Sequence, residues 1–225
     1  MVVSVADCET ARSMPGLTEL AVDIHCGPRA LDSMPFEYLL QNSVKHEIGG
    51  AEVRVPCPED HLRILCVHWL TDGGERKDRL WDIFWAVKNR PESFAWDKCL
   101  KVVSERRRRW IVCTIGLAHR YLDLPIDDLP FREQALDLPA WLTRAVEKRW
   151  RTGVTHVPIH KVLRDRKAFL QQMRKRFPPN PVMATINMEG NFDSFTRIHY
   201  QAGHILKQAL PSVHRIWRTI SSRNR

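Results

Sequence analysis

Apolar and polar residues alternate in short runs near the start of the chain. From Pro58 onward, apolar residues instead recur every three to four positions, the spacing of an α-helix. Residues 20–25 form a short β-prone run that Cys26-Gly27-Pro28 closes, and residues 51–55 alternate after Gly49-Gly50. Both runs predict β-strands, and residues 35–44 predict a short helix or an irregular connector.

The helical spacing begins with Pro58, which suits a first helical position, and Gly73-Gly74 ends it. Later spacing predicts helices over residues 78–89, 96–121, 140–150, 160–177 and 192–210, with Pro158 and Pro178-Pro179-Asn180-Pro181 as breakers. We expect one contiguous core from the inner stripes of the first three helices: Leu62, Leu65, Trp69, Leu80, Phe84, Leu100 and Leu117.

Three motifs within about residues 20–130 carry a family resemblance. They are Val22-Asp23-Ile24-His25, the helix that opens with Pro58-Glu59-Asp60-His61-Leu62 and continues to His68, and Leu80-Trp81-Asp82-Ile83. Together they resemble the uncharacterised nucleotidyltransferase-like family of the DNA polymerase β superfamily. The resemblance implies an α+β, predominantly helical fold, in which the remnant of a nucleotidyltransferase β-sheet is followed by a helical bundle.

The implied domain organisation has three parts. Residues 1–56 correspond to a partial catalytic domain, residues 57–130 to a helical domain, and residues 131–225 to a carboxyl-terminal helical extension. The Gly-Ser turn and Asp-x-Asp pair that precede the Asp23 strand in the family are absent from this sequence. We therefore expect an amino-terminally incomplete member.

The implied activity is transfer of a nucleotidyl group from a nucleoside triphosphate to a hydroxyl on an unknown acceptor, with Mg²⁺. In the superfamily three carboxylates hold the metal, and Asp23 matches the third, as a catalytic residue and metal ligand. His25 lies two residues on and faces the same side of the strand, which makes it a substrate-binding candidate. The alternatives are a solvated carboxylate and a histidine packed at the sheet edge.

His68 and Asp82 match family positions on successive helices. We expect them to bind substrate or to form a hydrogen bond that joins the helices. Cys57, His61, Cys66 and His68 invite a zinc interpretation, but their spacing lacks the paired ligands of structural zinc sites.

The formal net charge of +9 leaves open a second class, a non-enzymatic basic helical module for a phosphorylated or acidic partner. No recognition motif favours a nucleic-acid partner. The Glu105-Arg106-Arg107-Arg108-Arg109 run points around most of a helix, which predicts a solvated face with one or two arginines paired to acids.

The tail from Arg215 to Arg225 fits a docked or frayed end better than a membrane-surface helix. Widely spaced cysteines without a signal peptide or an apolar run of membrane length predict a cytoplasmic protein with reduced thiols.

Overall fold

A computed structural model of the chain describes residues 31–152, 165–167, 170 and 177–207. The chain divides between Cys57 and Pro58 into two compact units. The expected strand at residues 20–25, with Asp23 and His25, lies outside the described residues. So do most of the helix expected at residues 160–177 and the tail from Arg215.

The first unit contains a short helix, α1 (Phe36–Gln41), and an antiparallel hairpin of β1 (Val44–Ile48) and β2 (Ala51–Val55). The register pairs Val44 with Val55 and Ile48 with Ala51. Gly49 and Gly50 have φ of 59° and 80°, the left-handed conformation that a tight two-residue hairpin turn requires. The predicted β2 is confirmed, and α1 confirms the short helix that was one of the two expectations for residues 35–44. Nearly all of β1 lies beyond that range, where the pattern predicted no element.

The second unit is helical. Its elements are α2 (Pro58–Thr71), α3 (Leu80–Lys88), α4 (Trp96–Leu100), α5 (Glu105–Leu122), α6 (Arg132–Leu136), α7 (Ala140–Thr152), α8 (Pro181–Asn187) and α9 (residues 198–207). The fold is α+β and mostly helical, as the sequence predicted. Within the described ranges, no helix has the length and apolar character needed to cross a membrane.

The single helix predicted over residues 96–121 is wrong, because the chain breaks between α4 and α5. Ser104 has extended backbone, and its Oγ accepts a hydrogen bond from Arg107 N at 3.4 Å, so that Ser104 caps a new helix. The predicted breaker before residue 181 starts α8 instead: Asn180 Oδ1 accepts from Val182 N at 2.8 Å, and Pro181 occupies the first turn.

The helix predicted from residue 192 begins at residue 198. Arg197 holds the preceding segment as a loop, because its guanidinium donates to the carbonyl oxygens of Asn191 and Phe195 at 2.6 Å and 2.9 Å. These bonds satisfy the loop backbone without helical hydrogen bonds.

One buried cluster joins α2, α3, α4 and α5 with residues from α7 and α8. Six of the seven predicted core residues belong to it, and Leu65 is half-buried at its edge. Close packing is most severe between α5 and α6, where a Cβ on Gly116 would lie 2.1 Å from Ala135 O. Only a glycine allows this approach.

Candidate functional site

The acidic residues at the start of α2 are buried and fasten the helix to the segment before and within α4. Glu59 Oε1 accepts a hydrogen bond from Ala95 N at 2.9 Å. Asp60 Oδ1 lies 2.6 Å from Arg63 Nη2, and the two side chains are only 2% and 1% exposed. Arg63 Nη1 donates to Lys98 O at 3.0 Å. The two acids of the Pro-Glu-Asp motif therefore stabilise the packing of α2 in this unit.

The segment held by Glu59 forms one wall of an open cleft of about 540 Å³. Ala95 lies between two aromatic side chains of this wall, those of Phe94 and Trp96, whose ring centroids are 4.8 Å apart. The residues that line the cleft are Lys88, Arg90, Pro91, Glu92, Phe94, Trp96, Pro125 and Asp128.

Arg90 is fixed within this cleft. Its Nη1 donates to Val87 O at 2.8 Å, and its guanidinium pairs with Asp128. The guanidinium carbon also lies 5.7 Å from the ring centroid of Trp96. Asp128 offsets the charge of Arg90, so the arginine adds a rigid polar wall more than net positive charge.

Lys88, at the end of α3, carries a positive charge that is less offset by nearby carboxylates than the charge of Arg90. Its Nζ lies 5.4 Å and 5.2 Å from the ring centroids of Phe84 and Trp85. Within the part of the chain that the structure describes, no carboxylate lies within ion-pair distance of Lys88. The ammonium is therefore available to an anion that reaches the cleft mouth.

His68 and Asp82 do not meet. His68 is exposed, and its Nε2 lies 3.7 Å from Asp72 Oδ2, which also accepts a hydrogen bond from Arg79 Nη1 at 3.0 Å. The predicted hydrogen bond between His68 and Asp82 is wrong, because the histidine reaches the end of its own helix. Asp82 is exposed on α3. Substrate binding by either residue stays a prediction.

The arginine run of α5 was predicted to be a solvated face with one or two arginines paired to acids. The structure corrects this prediction: Arg106 is exposed, but Arg107 is buried, and three of the four arginines pair with acids. Arg107 is buried and pairs with Glu189 at 2.7 Å, while Arg109 pairs with Asp137 at 2.8 Å. Arg106 and Arg108 donate to Asn191 and Gln134 at 3.0 Å and 2.8 Å. The run therefore fastens α5 to the segments around α6 and after α8.

The zinc interpretation has no geometric basis among the described residues. His61 and His68 are exposed on α2, whereas Cys66 is fully buried in the core. No three His, Cys, Asp or Glu side chains within the described ranges converge as a metal site. Asp23, the one predicted ligand of magnesium, lies outside those ranges, as does His25.

The buried thiols are poor nucleophiles. Burial raises the pKa of Cys113 to about 12 and, together with nearby Cys99, raises that of Cys66 well above its ordinary value. Thiols with such pKa values stay protonated at neutral pH, and the thiolate is the reactive form. These cysteines therefore act as small core residues.

The described fold defines a class, a helical unit that follows a short helix and a β-hairpin in the chain. Residues 12–123, about half of the chain, match the family model for an uncharacterised nucleotidyltransferase. The chain belongs to that family. The match includes Asp23 and His25 and continues through α5. No curated protein and no solved structure matches the chain.

Sequence reasoning found α2 and α3 but missed the cleft that the end of α3 forms with the 90–96 segment and the loop after α5. Its residues are separated along the chain, from Lys88 to Asp128. Lys88-Asn89-Arg90-Pro91 carries no binding motif. Only the packing of the 90–96 segment on α2 reveals that these side chains share one surface.

Proposed function

We propose that this chain takes part in nucleotidyl transfer from a nucleoside triphosphate to a hydroxyl acceptor, in the cytoplasm. The observation that carries the proposal is the family match over residues 12–123. That match includes the Asp23 motif together with the helices of the Pro58 and Trp81 motifs. In this proposal His25, His68 and Asp82 contact the substrates.

The metal of this reaction is Mg²⁺, with Asp23 as one carboxylate ligand. Magnesium requires near-octahedral oxygen ligation and gives up its waters reluctantly. The described residues offer no convergent set of three ligands, and the sequence has no Asp-x-Asp pair. These residues do not fit a complete magnesium site, and we derive no catalytic step through the metal. We infer that the 225-residue chain by itself transfers nucleotides poorly or not at all.

Magnesium-nucleotide binding tests the proposal. In calorimetric titrations with each of the four Mg-NTPs, we expect weak or no binding to the chain alone. The second protein in these titrations is the same chain extended at its amino end with the Gly-Ser turn and Asp-x-Asp strand of a family member. We expect this extended protein to bind a Mg-NTP, and we expect the substitution Asp23→Asn to abolish the binding.

The matched control is Asp97→Asn, because Asp97 is an exposed carboxylate that pairs with Lys101 on the surface of its helix. This control should leave binding unchanged. Binding by the extended protein that survives Asp23→Asn would contradict the assigned role of Asp23.

The second candidate is a non-enzymatic basic module that holds a phosphorylated or acidic partner. Lys88 favours it, because this cation lies beside the exposed ring of Trp85 without a carboxylate partner among the described residues. An Asp23-independent affinity for anionic ligands would support this candidate.

A further inference from the structure

The outward side of α3 carries two tryptophans that the core does not use. Trp81 and Trp85 are 42% and 48% exposed, whereas Ile83 and Val87 of the same helix are buried. The two indole rings stack on one another, with centroids 6.3 Å apart and planes inclined by 27°. A contiguous exposed apolar surface is typical of an interaction site.

A cation and a second aromatic wall continue this surface. Lys88 lies one turn beyond Trp85, with its Nζ 5.2 Å from that ring, and also lines the 540 Å³ cleft. Trp96 stands in the same cleft beneath the fixed guanidinium of Arg90. We call the surface formed by Trp81, Trp85, Lys88 and this cleft the α3 strip.

We propose that the α3 strip binds a single-stranded polynucleotide, with bases stacked on Trp81 and Trp85 and a phosphate at Lys88. Proteins that bind single strands without sequence preference combine aromatic platforms with cations along the backbone path. Lys88 supplies the positive charge on the strip that a phosphate would contact.

An extended ligand fits the strip better than one nucleotide does. Two aromatic platforms precede the cation, and the cleft that follows it holds two further aromatic rings, those of Phe94 and Trp96. The carboxylates of Asp82, Glu92 and Asp128 flank the strip and disfavour phosphates at those positions. They leave Lys88 as the point where the strand backbone comes closest.

This proposal rests on the proposed function in one respect only: the bound strand would supply the hydroxyl that accepts the nucleotidyl group. The test therefore contains no NTP and no metal, so that failure of nucleotidyl transfer leaves its outcome unaffected. The probe is a fluorescein-labelled oligothymidylate of about 12 nucleotides, since single-strand sites span roughly 4 to 16 nucleotides. Its anisotropy is measured with the full chain at about 50 mM salt, where phosphate contacts are strong.

Trp81→Ala and Trp85→Ala should each weaken binding by roughly 5- to 150-fold, as the loss of one base-stacking contact does. Trp85→Phe keeps a stacking face and should retain most of the affinity. The matched control is Phe195→Ala, which removes an aromatic ring that is 72% exposed outside the strip. This control should bind like the parent chain.

Lys88→Gln should reduce the slope of log affinity against log salt by about 0.7, the value for one phosphate contact on a single strand. Lys148→Gln on α7 removes the same charge elsewhere and should leave the slope unchanged. The salt slope distinguishes a lost phosphate contact from a loss of protein stability. Thermal melts of each variant measure its stability directly.

Three results would overturn the proposal. The first is an absence of oligothymidylate binding by the parent chain. The second is equal losses in the strip and control variants. The third is a change of oligomeric state in the tryptophan variants, seen by sedimentation, with unchanged oligonucleotide affinity; it would assign the strip to contact between copies of the chain.

Discussion

Removing the carboxylate of Asp60 should destabilise the helical unit strongly. Asp60 and Arg63 are 2% and 1% exposed and lie 2.6 Å apart, so Asp60→Asn removes the anionic half of a buried ion pair. Breaking a buried pair on one side costs about 3 to 5 kcal/mol. The asparagine oxygen can still accept a hydrogen bond, so we expect about 3 kcal/mol, the lower end of this range.

Urea unfolding followed by tryptophan fluorescence and circular dichroism measures this loss. With a denaturant slope of about 2 to 3 kcal/mol/M, the midpoint should fall by at least about 1 M. The control is Asp97→Asn, whose partner Lys101 is 73% exposed and whose own side chain is 72% exposed. A pair on the helix surface contributes only about 0.3 to 0.5 kcal/mol.

A second variant separates charge burial from packing. Arg63→Met in the Asp60→Asn background removes the buried cation as well, and should recover part of the lost stability. If Asp60→Asn shifts the midpoint no more than Asp97→Asn does, the architectural role of the Pro-Glu-Asp motif is refuted. The two acids at the start of α2 would then be open to a role in binding.

Three further predictions concern the core, the thiols and pH. Leu62→Ala should cost about 2 to 5 kcal/mol, and Leu65→Ala clearly less, because Leu62 is fully buried and Leu65 half-buried; urea midpoints in the reverse order would contradict the α2 register. In thiol titration of the native protein, Cys57→Ser should remove one fast-reacting group and Cys113→Ser none, since only the former is partly exposed. Burial and the nearby charge of Lys207 lower the pKa of His204 below 6.5 in the folded protein. The imidazole is therefore protonated more readily in the unfolded chain, and the free energy of unfolding should fall as the pH drops through about 6.5. His204→Gln should flatten that dependence in melts from pH 5 to pH 8, and an unchanged slope would exclude His204 as its source.

The sequence was most informative where a local signal decides the structure. Pro58 in the first turn and Gly73-Gly74 at the end predicted α2 within two residues, because proline and glycine restrict the backbone directly. The same kind of signal was overlooked at Ser104, whose capping side chain starts α5. Before Gly49-Gly50, β1 lacked clear alternation, although a two-glycine turn after a strand would have indicated its partner.

Contacts between distant residues were beyond the reach of the pattern. The arginine run suggested solvent because helical geometry turns its members in all directions, yet Arg107 finds Glu189 eighty-two residues later. Likewise, Glu59 gave no sign that it would hold Ala95. Glu59 and Asp60 of the Pro-Glu-Asp motif therefore make structural contacts, while the cleft beside the segment that Glu59 holds could not be predicted from sequence spacing.

The most direct test of the account is incorporation of α-phosphate-labelled NTP into acceptor material by the 225-residue chain in the presence of Mg²⁺. We expect no incorporation by this chain. We expect incorporation once an amino-terminal Gly-Ser and Asp-x-Asp segment is added, and its loss again on Asp23→Asn. Incorporation by the 225-residue chain alone that is insensitive to Asp23→Asn would contradict both the family-based mechanism and the inference that this chain lacks a complete metal site.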